Sequence, residues 1–266
     1  MALHFERAEY DARITAATRA LAARGLDGLL AFQQETMYWL TGYDTFGFCF
    51  FQCLYLGADG QLALITRSAD LRQAQRTSII QDIRIWTDAE GAQPALQLRD
   101  MLEGLGARGK RLGIETNAYG LNHLLGKQVD TALDGFCLLD DASGLIDALR
   151  AVKSPAELAI VRRAGALADA ALDAGLAEIR PGADEGAILA AMQGAIFQGG
   201  GDYPGNEFII GSGGDAILCR YKSGRRTLST DDQLTLEFAG VYRHYHAAQM
   251  RTVVIGSPRP QHQRMS

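Results

Sequence analysis

A change of pattern at Val152 constrains this chain more than any other feature. Ahead of it, short apolar runs alternate with amphipathic stretches. Behind it stand two long helical stretches and then a series of strands. Lys153-Ser154-Pro155-Ala156-Glu157 marks the join. Ser154 is placed to cap a helix, Pro155 occupies the first helical position, and Glu157 at the third position completes a capping box. The pattern predicts an α/β domain with a mixed sheet over residues 1–152 and an α+β domain over 153–266.

Within the first domain the sequence predicts a helix over Glu6–Ala23 and a buried strand at Asp27–Phe32. Two strands, Phe48–Leu56 and Gln61–Thr66, are joined by the Gly57–Gly60 turn. Further strands are expected at Ile83–Trp86, Leu112–Glu115 and Phe136–Asp140, with helices at Ala95–Leu105 and Gly120–Ala132. In the second domain, Leu158, Val161, Gly165, Ala168, Leu172 and Leu176 form a stripe at helical spacing. Asp184 can cap a second helix running to about Phe197. Gly199–Gly205 is too glycine-rich for regular structure, and it lacks the lysine and strand–helix context of a phosphate loop. Strands are expected at Glu207–Gly211, Gln233–Ala239, Val241–His246 and Arg251–Ile255, and the start of another helix near Pro258 or Pro260.

A chain of 266 residues with 47% hydrophobic and 21% charged residues can bury a proper core. A net charge of −5 without a basic stripe disfavours nucleic acid. No apolar run reaches the length of a membrane span, and the amphipathic N-terminus lacks an apolar signal core. Cys49, Cys53, Cys137 and Cys219 show no metal-type pairing and read as reduced, buried thiols of a cytoplasmic protein.

The chemistry concentrates in Leu234–Gly256, LTLEFAGVYRHYHAAQMRTVVIG. Glu237 stands eleven positions before Ala248, and Arg251-Thr252 follow. Together with Arg150…Lys153-Ser154-Pro155…Glu157 and Tyr38-Trp39-Leu40-Thr41-Gly42, this run resembles the creatinase/prolidase/methionine aminopeptidase family, the pita-bread enzymes. The segment Trp39–Asp44 with Phe48, Gln52 and Cys53, and the run from Glu237 to Thr252, are closest to the ectoine hydrolase and creatinase-like members. The resemblance spans essentially the whole chain. It implies a creatinase-like N-terminal domain, with Met37–Asp44 as a strand and turn, followed by the first half of a pita-bread domain. The family's later His and two Glu ligands are not in this sequence, which reads as C-terminally truncated.

At the positions where the family's pattern places two Asp ligands and a first His, this chain has Glu237, Ala248 and Arg220. Arginine offers only donors, and alanine has no ligand atom. The resemblance therefore implies metal-free hydrolysis of a C–N bond in a small amino-acid-like compound, with no cofactor. On its strand Glu237 should face away from Leu234, Leu236 and Phe238, and burial against the sheet should make it basic enough to act as nucleophile or base. His246 is the expected proton shuttle, and Arg220 the anchor for a substrate carboxylate. Tyr203, Arg243, Tyr245 and Arg251 are further candidates to bind substrate. In a bland reading Glu237 is half of a buried ion pair with Arg220 or Arg251. The alternatives are a diverged Xaa-Pro dipeptidase using a divalent metal such as manganese, and an inactive pita-bread module that binds partners. The expected partners are a small molecule or dipeptide and a second copy in a homodimer, with the Phe46–Phe51 aromatics in its core or at the dimer interface, and neither nucleic acid nor membrane.

Overall fold

The computed structural model describes residues 3–258 and Pro260. The helix expected from Pro258 or Pro260 onward therefore falls essentially outside the described residues. The chain forms two compact units, residues 1–152 and 153–266.

The first unit runs α1 (Arg7–Ala23), β1 (Gly28–Ala31), α2 (Gln34–Thr41), β2 (Cys53–Gly57), β3 (Leu62–Arg67), α3 (Leu71–Thr77), β4 (Asp82–Trp86), α4 (Pro94–Gly104), β5 (Arg111–Ile114), α5 (His123–Leu133), β6 (Leu138–Asp141) and α6 (Leu145–Ala151). Its six strands make one mixed sheet in the order β4-β3-β2-β1-β5-β6. The β1–β2 and β2–β3 pairs are antiparallel, and the other three pairs are parallel. Helices cover both faces, because the strands are apolar on both sides. Leu30, Tyr55, Ile65 and Leu112 pack with Leu98, Met101, Val129 and Leu133 of α4 and α5. Leu29, Leu54 and Leu64 pack with Leu21, Met37, Leu40 and Ile146 of α1, α2 and α6.

Met37–Thr41 is not the strand expected from the family pattern. It lies in α2, which ends at Gly42 in the left-handed conformation (φ 81°). Every residue from Thr36 to Thr41 is buried, so no polar face marks the helical period in the sequence. The N-terminus of α2 is closed by Glu115, just beyond β5. Its Oε2 accepts the Phe32 and Gln33 amides at 2.9 and 2.8 Å, and its Oε1 accepts the Thr36 hydroxyl at 2.6 Å. Burial pushes the Glu115 carboxyl up to about 7, against the opposing pull of these three donors.

The second unit contains α7 (Pro155–Glu178), α8 (Glu185–Gln198), β7 (Ile209–Ser212), β8 (Asp232–Tyr242) and β9 (Tyr245–Ile255). The capping box forms as expected. Glu157 N–H donates to Ser154 Oγ at 3.1 Å, and Ser154 N–H to Glu157 Oε2 at 2.8 Å. Asp184 caps α8 by accepting the Gly186 and Ala187 amides. The buried face of α7 is Ile160, Ala164, Leu167, Ala168, Ala171 and Gly175, turned from the expected stripe, so Leu158 and Leu176 are exposed. Close approach selects the small face. A Cβ on Gly240 of β8 would lie 2.1 Å from Ala164 O and 2.3 Å from Ala168 N. The strands form an antiparallel sheet in the order β7-β8-β9. The segments expected as Gln233–Ala239 and Val241–His246 do not form separate strands with a turn between them. The chain reverses instead at Arg243-His244, both at positive φ (49° and 65°), a two-residue turn of the type I′ class.

Candidate active site on the β8–β9 hairpin

The register fixes which side chains share a face. Glu237 pairs with Met250, Ala239 with Ala248, and Val241 with His246. Leu234, Leu236 and Phe238 point the other way, into the core with α7 and α8. Glu237 and Ala248 thus lie on one face as diagonal neighbours. Glu237 is half-buried there, not enclosed in the sheet core as the sequence suggested. It makes no hydrogen bond or ion pair among the described residues. Among the described residues, the Arg220 side chain donates only to the carbonyl of Cys219, and that of Arg251 only to the carbonyl of Met250. The ion-pair reading of Glu237 is therefore not what the structure contains. Arg251 pairs with Leu236, which puts it on the opposite face from Glu237.

His246 shares the face of Glu237 but stands four positions away along the register. That is on the order of 13 Å at the rise of a strand, too far for direct proton exchange. Both its ring nitrogens are engaged elsewhere. Nε2 accepts the Gly205 amide at 2.8 Å, and Nδ1 lies 2.9 Å from His244 O. The carbonyl can only accept, so the bond at Nδ1 requires the proton there and leaves Nε2 free to accept. His246 thereby ties the Gly199–Gly205 loop to the hairpin.

The other candidates at the hairpin tip serve the same purpose. Arg243 N–H donates to Asp202 Oδ2 at 2.8 Å, and Asp202 N–H to Val241 O at 3.0 Å. The Tyr245 hydroxyl donates to the buried Glu157 carboxylate at 2.7 Å, joining the tip to the start of α7. Tyr203 is exposed and packs edge-on against Phe197, with ring centroids 4.8 Å apart. The structure therefore gathers His246, Arg243 and Tyr245 into a loop clamp and leaves Glu237 apart from them.

A second network was not read from the sequence. Ser212, at the end of β7, is fully buried and donates to Glu185 Oε1 at 2.7 Å, and it accepts from Arg226 at 2.6 Å. Glu185 Oε2 takes the Arg226 amide. The neighbouring Asp232 carboxyl is raised by burial, but the Ser229 donors and Arg226 outweigh this and hold it below the ordinary range. This network anchors the turn at Gly213–Ile217. A Cβ on Gly211, which pairs with Thr235, would lie 2.3 Å from Asp215 O, so the turn sits over the face that carries Glu237. Arg220 follows that turn. Only the serine in a Gly-Ser-Gly run hinted at this arrangement. Of the cysteines, Cys53 alone is fully buried, while Cys49 and Cys219 are exposed.

Among the described residues no three His, Cys, Asp or Glu side chains gather into a group able to hold a metal ion. The face around Glu237 offers Thr235, Ala239, Ala248, Met250 and Thr252, hence a single carboxylate. By themselves these residues do not fit a divalent-metal centre. No helix among the described residues is long and apolar enough to cross a membrane.

An α/β/α unit followed by a helix pair on an antiparallel sheet, with Glu237 on the outward face of a long hairpin, defines a pita-bread hydrolase scaffold. Residues 13–152 match the Creatinase/Prolidase N-terminal domain, and residues 159–266 match Metallopeptidase family M24. The chain belongs to the creatinase/prolidase family of hydrolases. It is 29% identical to an ectoine hydrolase of Halomonas elongata, over 97% of this chain and 68% of that protein. It is 30% identical to an Xaa-Pro dipeptidase of Pyrococcus horikoshii over 158 residues, 59% of this chain and 42% of that protein. The fold superposes on a prolidase of Thermococcus sibiricus with a TM-score of 0.83 and 20% identity, covering 96% of this chain and 68% of the other.

Proposed function

We propose that this chain hydrolyses a C–N bond, amide or amidine, in a small amino-acid-like substrate without a catalytic metal, with Glu237 as the reacting group. The observation that carries this is the state of Glu237: half-buried, on the face turned away from the core, and without a partner among the described residues. Most carboxylates so placed are tied to a donor, and a carboxylate held in reserve is what base catalysis needs. Glu237 takes a proton from water as the oxygen adds to the carbonyl or amidine carbon. It then returns that proton to the departing nitrogen, so one residue serves both steps and His246 is not required as a shuttle. In the direct variant the Glu237 carboxylate adds to the carbon, the C–N bond breaks as the nitrogen takes a proton from water, and the hydroxide so formed cleaves the acyl–Glu237 bond to release the product acid and free Glu237. Arg220 anchors a substrate carboxylate, since it follows the turn over this face and, among the described residues, its guanidinium donates only to the neighbouring Cys219 carbonyl. Tyr203, exposed on the loop that His246 holds, is the candidate to line the entry.

The likeness to an ectoine hydrolase across 97% of the chain supports this substrate class. The likeness to an Xaa-Pro dipeptidase supports a second reading, hydrolysis of X-Pro dipeptides, for which a divalent metal such as manganese would be needed. The donor set around Glu237 favours the first. The free thiols support a cytoplasmic setting, and the net charge supports a small-molecule partner over nucleic acid.

The test is turnover of cyclic amidine and X-Pro substrates, with and without a chelator, in the parent and in Glu237→Gln. Activity that survives chelation and disappears in Glu237→Gln is expected. Activity abolished by chelation and restored by manganese assigns the dipeptidase reading instead. No turnover of any small amide returns the chain to a binding module.

A further inference from the structure

Arg220 stands on an exposed loop whose two ends are tied together behind the sheet, and the tie runs through one hydroxyl. We propose that Ser212 is a positioning residue. With Glu185 and Arg226 it sets where Arg220 meets the substrate, and the loop so held selects substrates that carry a negative charge away from the scissile bond. This rests on the hydrolase reading only in taking Arg220 as the anchor.

From Ile217 to Arg225 every residue is exposed, so apolar burial does not fix the course of the loop. Its placement depends on its ends. The register sets Ser212 opposite Leu234, which points into the core against α7 and α8. Gly211 pairs with Thr235 on the other face, the one that carries Glu237 and the turn at Gly213–Ile217. Ser212 thus reaches through to the start of α8, while the residues after it lie over the face of Glu237.

The returning end of the loop arrives at the same place. Glu185 N–H donates to Arg226 O at 3.0 Å, Glu185 Oε2 accepts the Arg226 amide at 2.9 Å, and Leu228 N–H donates to Ala183 O at 2.8 Å. Ser212 Oγ joins the outgoing end to it, donating to Glu185 Oε1 at 2.7 Å and accepting from Arg226 Nη1 at 2.6 Å. A hydroxyl can do both at once, and an alanine can do neither. Ser212 and Glu185 are buried, so little water competes for these bonds. The guanidinium also lies tight against the outgoing end. A Cβ on Gly213, at φ 57°, would stand 2.7 Å from Arg226 Nη1. Asp232 Oδ1 is 3.6 Å from the same nitrogen.

The loop is basic. Arg220, Lys222, Arg225 and Arg226 stand against one acid, Asp215, in a chain of net charge −5. Lys222 pairs with Asp215, and Arg226 serves the tie. Among the described residues, the side chains of Arg220 and Arg225 donate only to carbonyls of their own loop and to the Tyr221 hydroxyl. Two guanidiniums on one loop without a carboxylate partner suit an anion, and they define the substrate class.

Binding of N-acetylglycine and of its methyl ester, read by ligand-observed NMR in the Glu237→Gln background, tests this without turnover. The acid should bind about tenfold more tightly than the ester, and Arg220→Ala should remove that preference. Ser212→Ala should remove most of it, and combined with Arg220→Ala it should bind the acid no more weakly than Arg220→Ala alone. A residue that served stability alone would weaken acid and ester together and would add to Arg220→Ala. Arg226→Ala leaves the buried Ser212–Glu185 bond in place. It gives the same readout, alone and with Arg220→Ala, if circular dichroism shows that Ser212→Ala does not fold. Equal binding of acid and ester before any loop change overturns the proposal. So does a preference that survives Ser212→Ala or Arg226→Ala, or losses that add to that of Arg220→Ala. Acid-selective binding with these losses, in a parent chain that hydrolyses no amide, sinks the hydrolase reading and supports the positioning role.

Discussion

Two glutamates on or beside strands, one in each unit, meet opposite fates. Glu115 is 2% exposed and satisfied by two backbone amides and a hydroxyl. Glu237 is half-buried, lies on an open sheet face, and has no partner among the described residues. The first carboxylate is spent on structure, since it closes the N-terminus of a buried helix that has no capping side chain of its own. The second is left without a donor among the described residues, the state that the proposed chemistry requires. A buried carboxylate is therefore not a reactive one merely because it is buried. What separates the two is the supply of donors.

The sharpest way to break this contrast is Glu237→Gln. It should lower turnover by roughly 10² to 10⁴-fold, measured as kcat on whichever amide the parent cleaves, with the fold unchanged by circular dichroism. If the two glutamates were alike, this change would reduce stability instead. A structural counterpart in the same unit is Gly240→Ala. The added methyl meets the backbone of α7, so thermal unfolding should show a loss of about 3 kcal/mol.

Glu115 is tested by pH. Its folded-state value is raised to about 7 from an ordinary 4.5, so the folded protein holds that proton more tightly than the unfolded chain. The stability this confers is complete below about pH 4.5 and is lost as pH rises through about 7. Urea unfolding of the parent minus that of Glu115→Gln should therefore change between pH 5 and 8, by at most about 3 kcal/mol, with the parent relatively weaker at the higher pH. A flat difference would remove the argument for burial. The smallest effect is expected from His246→Ala. Losing the bond to Gly205 should cost about 1 kcal/mol and appear as faster hydrogen exchange at the Gly205 amide.

Much of the scaffold was legible because it rests on local chemistry. Ser154, Pro155 and Glu157 announced α7, and Asp184 announced α8, since a cap needs only residues three apart. The alternation around Glu237 was legible for the same reason. The misreadings share a cause. Met37–Thr41 is helical although it reads as a strand, because a helix buried on every side carries no period. The hairpin turn falls at Arg243-His244 and not at Gly240, because Gly240 is needed where α7 crosses the strand. The buried face of α7 was shifted for the same reason. His246 reads as a proton shuttle for Glu237 because imidazole titrates near neutrality, yet the register separates the two and the Gly205 amide claims the imidazole.

The sequence alone determined the division at Val152, the two capped helices, the family, and a face that bears Glu237 where a second carboxylate is missing. Those features depend on residue type and on spacings of a few positions. Only the tertiary structure decided which polar groups are already engaged: Tyr245 with Glu157, His246 with Gly205, Ser212 with Glu185, and Glu237 with none of the described residues. Partners of that kind lie tens of residues apart in the chain. Packing and strand register bring them together, and neither is written in any local pattern.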